Sequence, residues 1–100
     1  MLITTWHPDM SLSKEEAIEK ARKDAAKRAG ISPSEIQVKA VEDAEFPDMA
    51  LGASREDEMS GQMITPGWRI RLKAGDRTLE YRATKNQLRL YDFEGENFLV

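Results

Sequence analysis

The chain has 100 residues and a formal net charge of −3, which fits one domain spanning residues 1–100. The negative charge argues against non-specific nucleic-acid binding by the whole protein, and the absence of cysteine excludes disulfides and thiolate chemistry. No apolar run approaches the ~20 residues that cross a bilayer, and the N-terminus lacks the basic start and long apolar centre of a signal peptide.

The clearest predicted element is a helix that begins at Ser13 and ends before Gly30. It follows residues 2–6, LITTW, which are a candidate for a short strand. Ser13 and Glu16 have the spacing of a capping box, and Gly30 suits a left-handed C-terminal cap. The predicted buried stripe consists of Ala17, Ile18, Ala21, Ala25 and Ala29. A stripe with so little apolar bulk predicts a sheet with larger side chains opposite it.

Alternating apolar and polar residues predict four strands after the helix. The first covers about Gln37 to Glu45, and the others are the segments GWRIRLKA, RTLEYRAT and QLRLYDF. Gly75-Asp76 and Lys85-Asn86 are turn pairs that join the last three into an antiparallel meander. The predicted fold class is α+β, with one N-terminal helix packed on a four-stranded antiparallel sheet. Trp68 heads an inward-facing set, so we expect it to be largely buried.

A long segment, residues 47–65, separates the first predicted strand from the meander and has neither helical nor strand periodicity. Loops longer than ~12–15 residues are usually functional or disordered. We expect this loop to dock through Leu51 and the nearby methionines, with Asp48–Leu51 ordered and residues 54–61 mobile. At its end, Pro66-Gly67 predicts a type II turn.

Charge is distributed unevenly along the chain. Residues 68–91 carry seven basic and two acidic side chains, whereas residues 42–58 carry seven acidic and one basic. This contrast predicts that the acidic loop lies against a basic sheet face and screens it. The candidate partner-binding residues on that face are Arg69, Arg71, Lys73, Arg82, Arg89 and Tyr91. An ordinary solvated face is the competing interpretation, and the single well-placed aromatic argues against RNA.

No motif in the chain predicts catalysis, a metal site or a cofactor. The tripeptide His7-Pro8-Asp9 matches the signature of J-domain co-chaperones but has no helix before it. His7 is the only histidine, and with Asp9 it offers at most two ligands where a structural zinc needs four. No phosphate-binding glycine loop is present. We therefore expect a non-enzymatic protein without cofactor or metal.

Two motifs, PD..LG at residues 47–52 and TPGW at residues 65–68, resemble a small uncharacterised prokaryotic domain with the pattern WPD..LGC…TPGY.I.L…Y.YH. The similarity covers about residues 17–90 and implies no assigned activity. Ala53 stands where that pattern has Cys, and Arg82 stands where it has His. The disulfide that the resemblance implies is therefore impossible here, which favours a reducing, cytoplasmic compartment. The element order is also similar to that of PepSY and cystatin-like domains.

These observations favour an interaction module of uncharacterised role. We expect it to use loop 47–65 and the adjoining basic sheet face to bind a protein or peptide. The alternative is a binder of an anionic ligand or single-stranded RNA, which salt-dependent RNA binding would reveal. We expect no membrane partner, and the chain to be a monomer or a weak homo-oligomer.

Overall fold

The computed structural model describes residues 11–100. Within them, the helix α1 (Lys14–Ala29) and a 3-10 turn (Pro33–Glu35) precede the strands. The strands are β1 (Ile36–Phe46), β2 (Thr65–Ala74), β3 (Arg77–Thr84), β4 (Gln87–Phe93) and β5 (Glu96–Leu99). The predicted strand at residues 2–6 and the His7-Pro8-Asp9 tripeptide lie outside the described residues.

The helix α1 begins and ends where its capping residues predict. Ser13 Oγ accepts the Glu16 N–H at 3.1 Å, and Glu16 Oε1 accepts the Ser13 N–H at 2.9 Å. Gly30 has φ 72°, and its N–H donates to the Ala26 carbonyl. The buried residues are Ala17, Ala21, Ala25 and Ala26. Ala29 is exposed because each four-residue step turns about 40° past a full turn, so the predicted row drifts off the sheet.

The strands form one antiparallel sheet in the order β1-β2-β3-β4-β5. The α+β class is confirmed, but the sheet has five strands within residues 11–100, and the predicted count of four is wrong. The additional strand, β5, follows a two-residue turn at Glu94 and Gly95, whose φ values are 54° and 85°. Positive φ at both central residues is typical of a tight hairpin. β5 spans only four residues, too few for a clear alternating pattern.

One face of the sheet packs against α1 and forms the core. The larger buried side chains on that face are Ile70, Leu72, Leu79, Tyr81, Leu88 and Leu90. The Tyr81 hydroxyl donates to Asp24 Oδ2 at 2.7 Å, and that oxygen also accepts from Arg28 Nε at 2.7 Å. Burial and the neighbouring Asp24 carboxylate raise the pKa of Tyr81, which therefore stays a neutral donor.

The start of β2 differs from the predicted turn. Pro66 and Gly67 belong to the strand, and Gly67 is the register partner of Ala44. A Cβ on Gly67 would collide with the Ala83 backbone oxygen, so glycine allows β2 and β3 to approach closely here. Trp68 packs against the core as predicted, but its burial is less complete than that of Ile70 and Leu72, which follow it in the inward-facing set.

Candidate functional site

The loop between β1 and β2 lies on the sheet face opposite α1. Arg82 and Arg89 alternate along their strands with the core residues Tyr81 and Leu90, and therefore point away from the helix. Both guanidinium groups reach the loop. The prediction that the acidic loop lies against the basic sheet face is confirmed for Arg82 and Arg89.

The strongest contact is a bidentate ion pair between the loop and β4. Arg89 Nη1 donates to Glu58 Oε1 at 2.6 Å, and Arg89 Nη2 donates to Glu58 Oε2 at 2.7 Å. The Glu58 carboxylate also accepts the Arg55 N–H at 2.9 Å. The hydrogen bonds from Arg89, and then that from Arg55, lower the pKa of Glu58 from its ordinary value of 4.5 to about 2. Because the Arg89 side chain is buried, its charge requires a close partner, and the Glu58 carboxylate supplies it with two hydrogen bonds.

Arg82 forms the second contact between the loop and the sheet. Its Nη1 donates to the Leu51 carbonyl at 3.0 Å, and its Nε donates to Glu80 Oε2 at 2.9 Å. The guanidinium also lies 3.6 Å from the centre of the Tyr91 ring. A Cβ on Gly52 would stand 2.8 Å from Arg82 Nη1, so glycine at this position leaves room for the arginine.

Further hydrogen bonds fix the course of the loop. Asp48 Oδ1 accepts the N–H groups of Ala50 and Gly52 at 2.9 and 3.0 Å, which closes a compact turn. Asn97 Nδ2 donates to the Ser54 carbonyl at 2.8 Å. Leu51 is buried, so the predicted docking through Leu51 is confirmed. The predicted order of residues 48–51 stays a prediction, with which the Asp48 hydrogen bonds agree. Ser54, in the segment expected to be mobile, is bonded to β5.

The methionines of the loop face solvent rather than the sheet, so their predicted docking is wrong. Together with Ile64 they form what we call the loop apolar surface: Met49, Met59, Met63 and Ile64, which are 49, 97, 62 and 66% exposed. The Met49 N–H donates to the Gly61 carbonyl at 3.0 Å, which ties the two arms of the loop together. The loop thus presents large apolar side chains from an anchored backbone.

The six predicted partner-binding residues fall into two groups. Arg82 and Arg89 are engaged by the loop, and Tyr91 is partly buried beside Arg82. The second group is on β2, outside the contacts with the loop, and occupies alternate positions of the strand: Arg69, Arg71 and Lys73.

The β2 arginines are largely neutralised by two carboxylates. Arg69 Nε donates to Glu80 Oε2 at 3.2 Å, and Arg71 Nε lies 3.7 Å from Glu80 Oε1. Glu42 Oε1 lies 3.7 Å from a terminal nitrogen of each arginine. Within residues 11–100, Lys73 is in no ion pair. The part these β2 residues play in partner binding stays a prediction.

A cleft of about 710 Å³ opens where β1 ends and β2 begins. Its lining includes Asp43 and Glu45 from β1, Trp68 from β2, and Lys85 and Asn86 from the turn after β3. The sequence does not predict this cleft, because the cleft depends on the register that places Asp43 beside Trp68. Its lining comes from three separate segments, so no local pattern indicates it.

Residues 11–100 lack two further classes of site. No group of three or more His, Cys, Asp or Glu side chains there is placed to hold a metal ion. No helix in that range is both long enough and apolar enough to cross a membrane.

Comparison with known proteins places the chain by sequence. No curated protein and no solved structure matches it. The model of the family described as Domain of unknown function (DUF8738) matches residues 18–91. That range runs from α1 into β4 and includes the loop, both arginines that hold it, and Trp68. The chain therefore belongs to the family Domain of unknown function (DUF8738).

Proposed function

We propose that this protein is a non-enzymatic interaction module that binds a protein or peptide through the loop apolar surface. The observation that carries the proposal is the exposure of its four side chains on a loop held to the sheet by Arg82 and Arg89. Among residues 11–100, the other exposed large hydrophobics are Val38 and Leu99. Single exposed apolar side chains are normal on a protein surface, whereas four of them on one loop favour an interaction site.

The anchoring of the loop favours a binding role for its exposed apolar side chains over exposure without a function. An ordered loop loses less conformational entropy on association than a disordered one does. Methionine is flexible and polarisable, so it adapts to the shape of an apolar partner. Met59, at 97% exposure, gains the most from being covered.

Arg69, Arg71 and Lys73 form the proposed basic flank of this surface. Charges at the rim of an interface mainly set the association rate and the choice of partner. An acidic or neutral partner therefore suits this flank better than a basic one. Arg82 and Arg89 hold the loop and reach a partner only if the loop lifts from the sheet.

The alternative of an anionic ligand or single-stranded RNA stays a prediction with less support. Arg82 stacks on the Tyr91 ring at 3.6 Å, so one face of that aromatic is occupied. Stacking of bases on free aromatic faces supplies much of the affinity for single strands. We also propose a cytoplasmic location, from the cysteine-free composition, and a likeness to PepSY and cystatin-like domains, from the element order. Fold-level likeness assigns no function by itself.

The proposal is tested by affinity capture with three forms of the protein. The loop variant is Met59→Ser/Met63→Ser/Ile64→Ser, and the matched control is Val38→Ser/Leu99→Ser, which removes exposed apolar area elsewhere. A partner retained by the wild type and the control but lost by the loop variant supports the proposal. The purified partner should then remain bound at 1 M salt, where the screening length is ~3 Å. A partner that the loop variant retains as well as the wild type contradicts it.

A further inference from the structure

We infer that the outer edge of β1 from Ala40 to Phe46, with the adjoining cleft, binds an extended peptide segment that carries lysine or arginine. This surface is separate from the loop apolar surface, and the inference does not depend on the function proposed above. Two independent features support it: an acidic strand edge that has no further strand partner among residues 11–100, and a cleft with an aromatic wall beside that edge.

The first feature is the position of β1 at the end of the sheet. Within the described residues, β1 pairs only with β2, so its outer backbone groups have no strand partner. The bulge between Val38 and Ala40, with Lys39 inside it, protects the first part of this edge against pairing. From Ala40 to Phe46 the register with β2 is continuous, so this part is regular enough to accept another strand.

The charge of that regular part identifies the partner's chemistry. Residues 40–46 include Glu42, Asp43 and Glu45 and no basic side chain. Glu42 is already paired with Arg69 and Arg71, so Asp43 and Glu45 carry the charge that is available to a partner. Antiparallel pairing with a second copy over this stretch would bring carboxylates face to face, which is destabilising. A strand with lysine or arginine at alternate positions would form opposite-charge pairs instead. The edge therefore selects a basic segment over a second copy of this chain.

The second feature is the cleft itself. Asp43 and Glu45 are the register partners of Trp68 and Pro66, so two carboxylates stand beside one indole. Trp68 packs on the core with part of its ring and lines the cleft with the rest. A cation over an indole face, with carboxylates beside it, is a favourable arrangement for a lysine or arginine side chain.

Two basic residues already lie near these carboxylates, and neither blocks the site. Lys14 Nζ is 3.8 Å from Asp43 Oδ1, but the Asp43 side chain is 86% exposed, so this pair is weak and easily exchanged. Lys85 lines the cleft from the turn after β3 and forms no ion pair with Asp43 or Glu45 in residues 11–100. The acidic side of the cleft is thus the side that faces the open strand edge.

The test uses the full chain with Trp6→Phe, which leaves Trp68 as its single tryptophan and as the fluorescent reporter. The probe is an acetylated and amidated seven-residue peptide in which valine and lysine alternate. One control peptide has glutamate in place of lysine, and the other keeps lysine but carries N-methyl groups on alternate backbone amides. We expect saturable binding of the lysine peptide, none of the glutamate peptide, and at least about tenfold weaker binding of the N-methylated peptide, which cannot extend the sheet.

Two charge variants separate the proposed surface from general attraction. Asp43→Asn/Glu45→Gln should lower the affinity for the lysine peptide by about tenfold, because two exposed ion pairs are lost. The matched control Asp57→Asn/Glu96→Gln changes the same charge at the other end of the sheet and should leave the affinity unchanged. The loop variant Met59→Ser/Met63→Ser/Ile64→Ser should also bind the peptide normally, so failure of the proposed function does not affect this test.

Several outcomes would overturn the inference. The full chain failing to bind the lysine peptide would show that the edge is covered or unsuitable. If the N-methylated peptide bound as tightly as the lysine peptide, binding would not involve strand addition. If Asp43→Asn/Glu45→Gln bound the lysine peptide as tightly as the chain with the unchanged carboxylates does, binding would not occur at this edge. A concentration-dependent dimer that excludes the peptide in sedimentation experiments would assign the edge to a second copy of the chain.

Discussion

Replacing Glu58 with glutamine tests how strongly its ion pair with Arg89 holds the loop on the sheet. Glutamine keeps the size of the side chain but removes the charge and one acceptor oxygen. Arg89 would then be buried with only the Gln87 side chain at 2.7 Å and the Ala53 carbonyl at 3.4 Å as other acceptors. Leaving a buried charge poorly paired is destabilising, so we expect Glu58→Gln to lower the free energy of unfolding at neutral pH.

The size of this effect follows from the pKa of Glu58, which is lowered from 4.5 to about 2 in the folded protein. As the pH falls, the Glu58 carboxylate is protonated in the unfolded chain before it is protonated in the folded protein. The stabilisation by the Glu58–Arg89 pair is therefore present above pH 4.5 and is lost as the pH falls through about 2. A shift of that size corresponds to about 2–3 kcal/mol, allowing for the 18% exposure of the side chain. The loss caused by Glu58→Gln should therefore be about 2–3 kcal/mol at pH 7 and close to zero near pH 2.

Urea unfolding of the wild type and the variant between pH 2 and pH 7 measures this difference. The matched control is Glu56→Gln, which removes the same charge from an exposed neighbour that is in no ion pair among the described residues. It should change the stability by less than about 0.5 kcal/mol at every pH. An equal dependence of stability on pH in wild type and Glu58→Gln would refute the reasoning, and the Arg89 contact would then be incidental.

Three further substitutions test other parts of the fold by urea unfolding at pH 7. Tyr81→Phe removes the hydroxyl that donates to Asp24 at 2.7 Å and should cost about 1.5–3 kcal/mol, because the lost bond is to a charged group. Leu51→Ala truncates the buried side chain that anchors the loop and should lower the free energy of unfolding by about 2–5 kcal/mol. Gly67→Ala places a Cβ against the Ala83 backbone oxygen, so β2 and β3 must separate locally and the loss should be at least about 1–3 kcal/mol.

Each of these substitutions has a matched control in the chain. Tyr91→Phe removes a hydroxyl without a hydrogen bond to residues 11–100, and Met59→Ala truncates a side chain that is 97% exposed. Both should change stability by less than about 0.5 kcal/mol. Gly61→Ala meets the end of the flexible Met49 side chain rather than backbone, so it should cost less than Gly67→Ala. Losses as large in the controls as in the test variants would contradict the packing described.

The helix and the meander were predictable because their signals are local. Ser13, Glu16 and Gly30 define the ends of α1 by hydrogen bonds within a few residues of one another. The turns at residues 75–76 and 85–86 similarly follow from neighbouring residue types, and they set the register of β2, β3 and β4. β5 was missed because four residues carry too little alternation, although the Glu94-Gly95 pair was a usable turn signal.

The contacts of the loop were only partly predictable because they join residues about 30 apart. Opposite charges indicated that the loop lies on the sheet, and Leu51 was correctly expected to be its buried anchor. The sequence did not indicate that the methionines face solvent, since apolar character alone does not show which side of an irregular segment packs. Pro66-Gly67 was misassigned to a turn because the same dipeptide also serves where a strand must approach its neighbour closely.

Most of the basic side chains that predicted a partner-binding sheet face are therefore paired with carboxylates within the molecule. Arg89 is paired with Glu58 and Arg82 with Glu80, and Glu80 also accepts from Arg69. An arginine held this way cannot bind an outside anion without first giving up an internal partner, so the available attraction is smaller than the sequence count implies. Among residues 11–100, the side chains left with weak internal partners or none include the exposed apolar side chains of the loop and the carboxylates of Asp43 and Glu45 on β1. Those two surfaces, one apolar and one acidic, are consequently where partner binding should be sought.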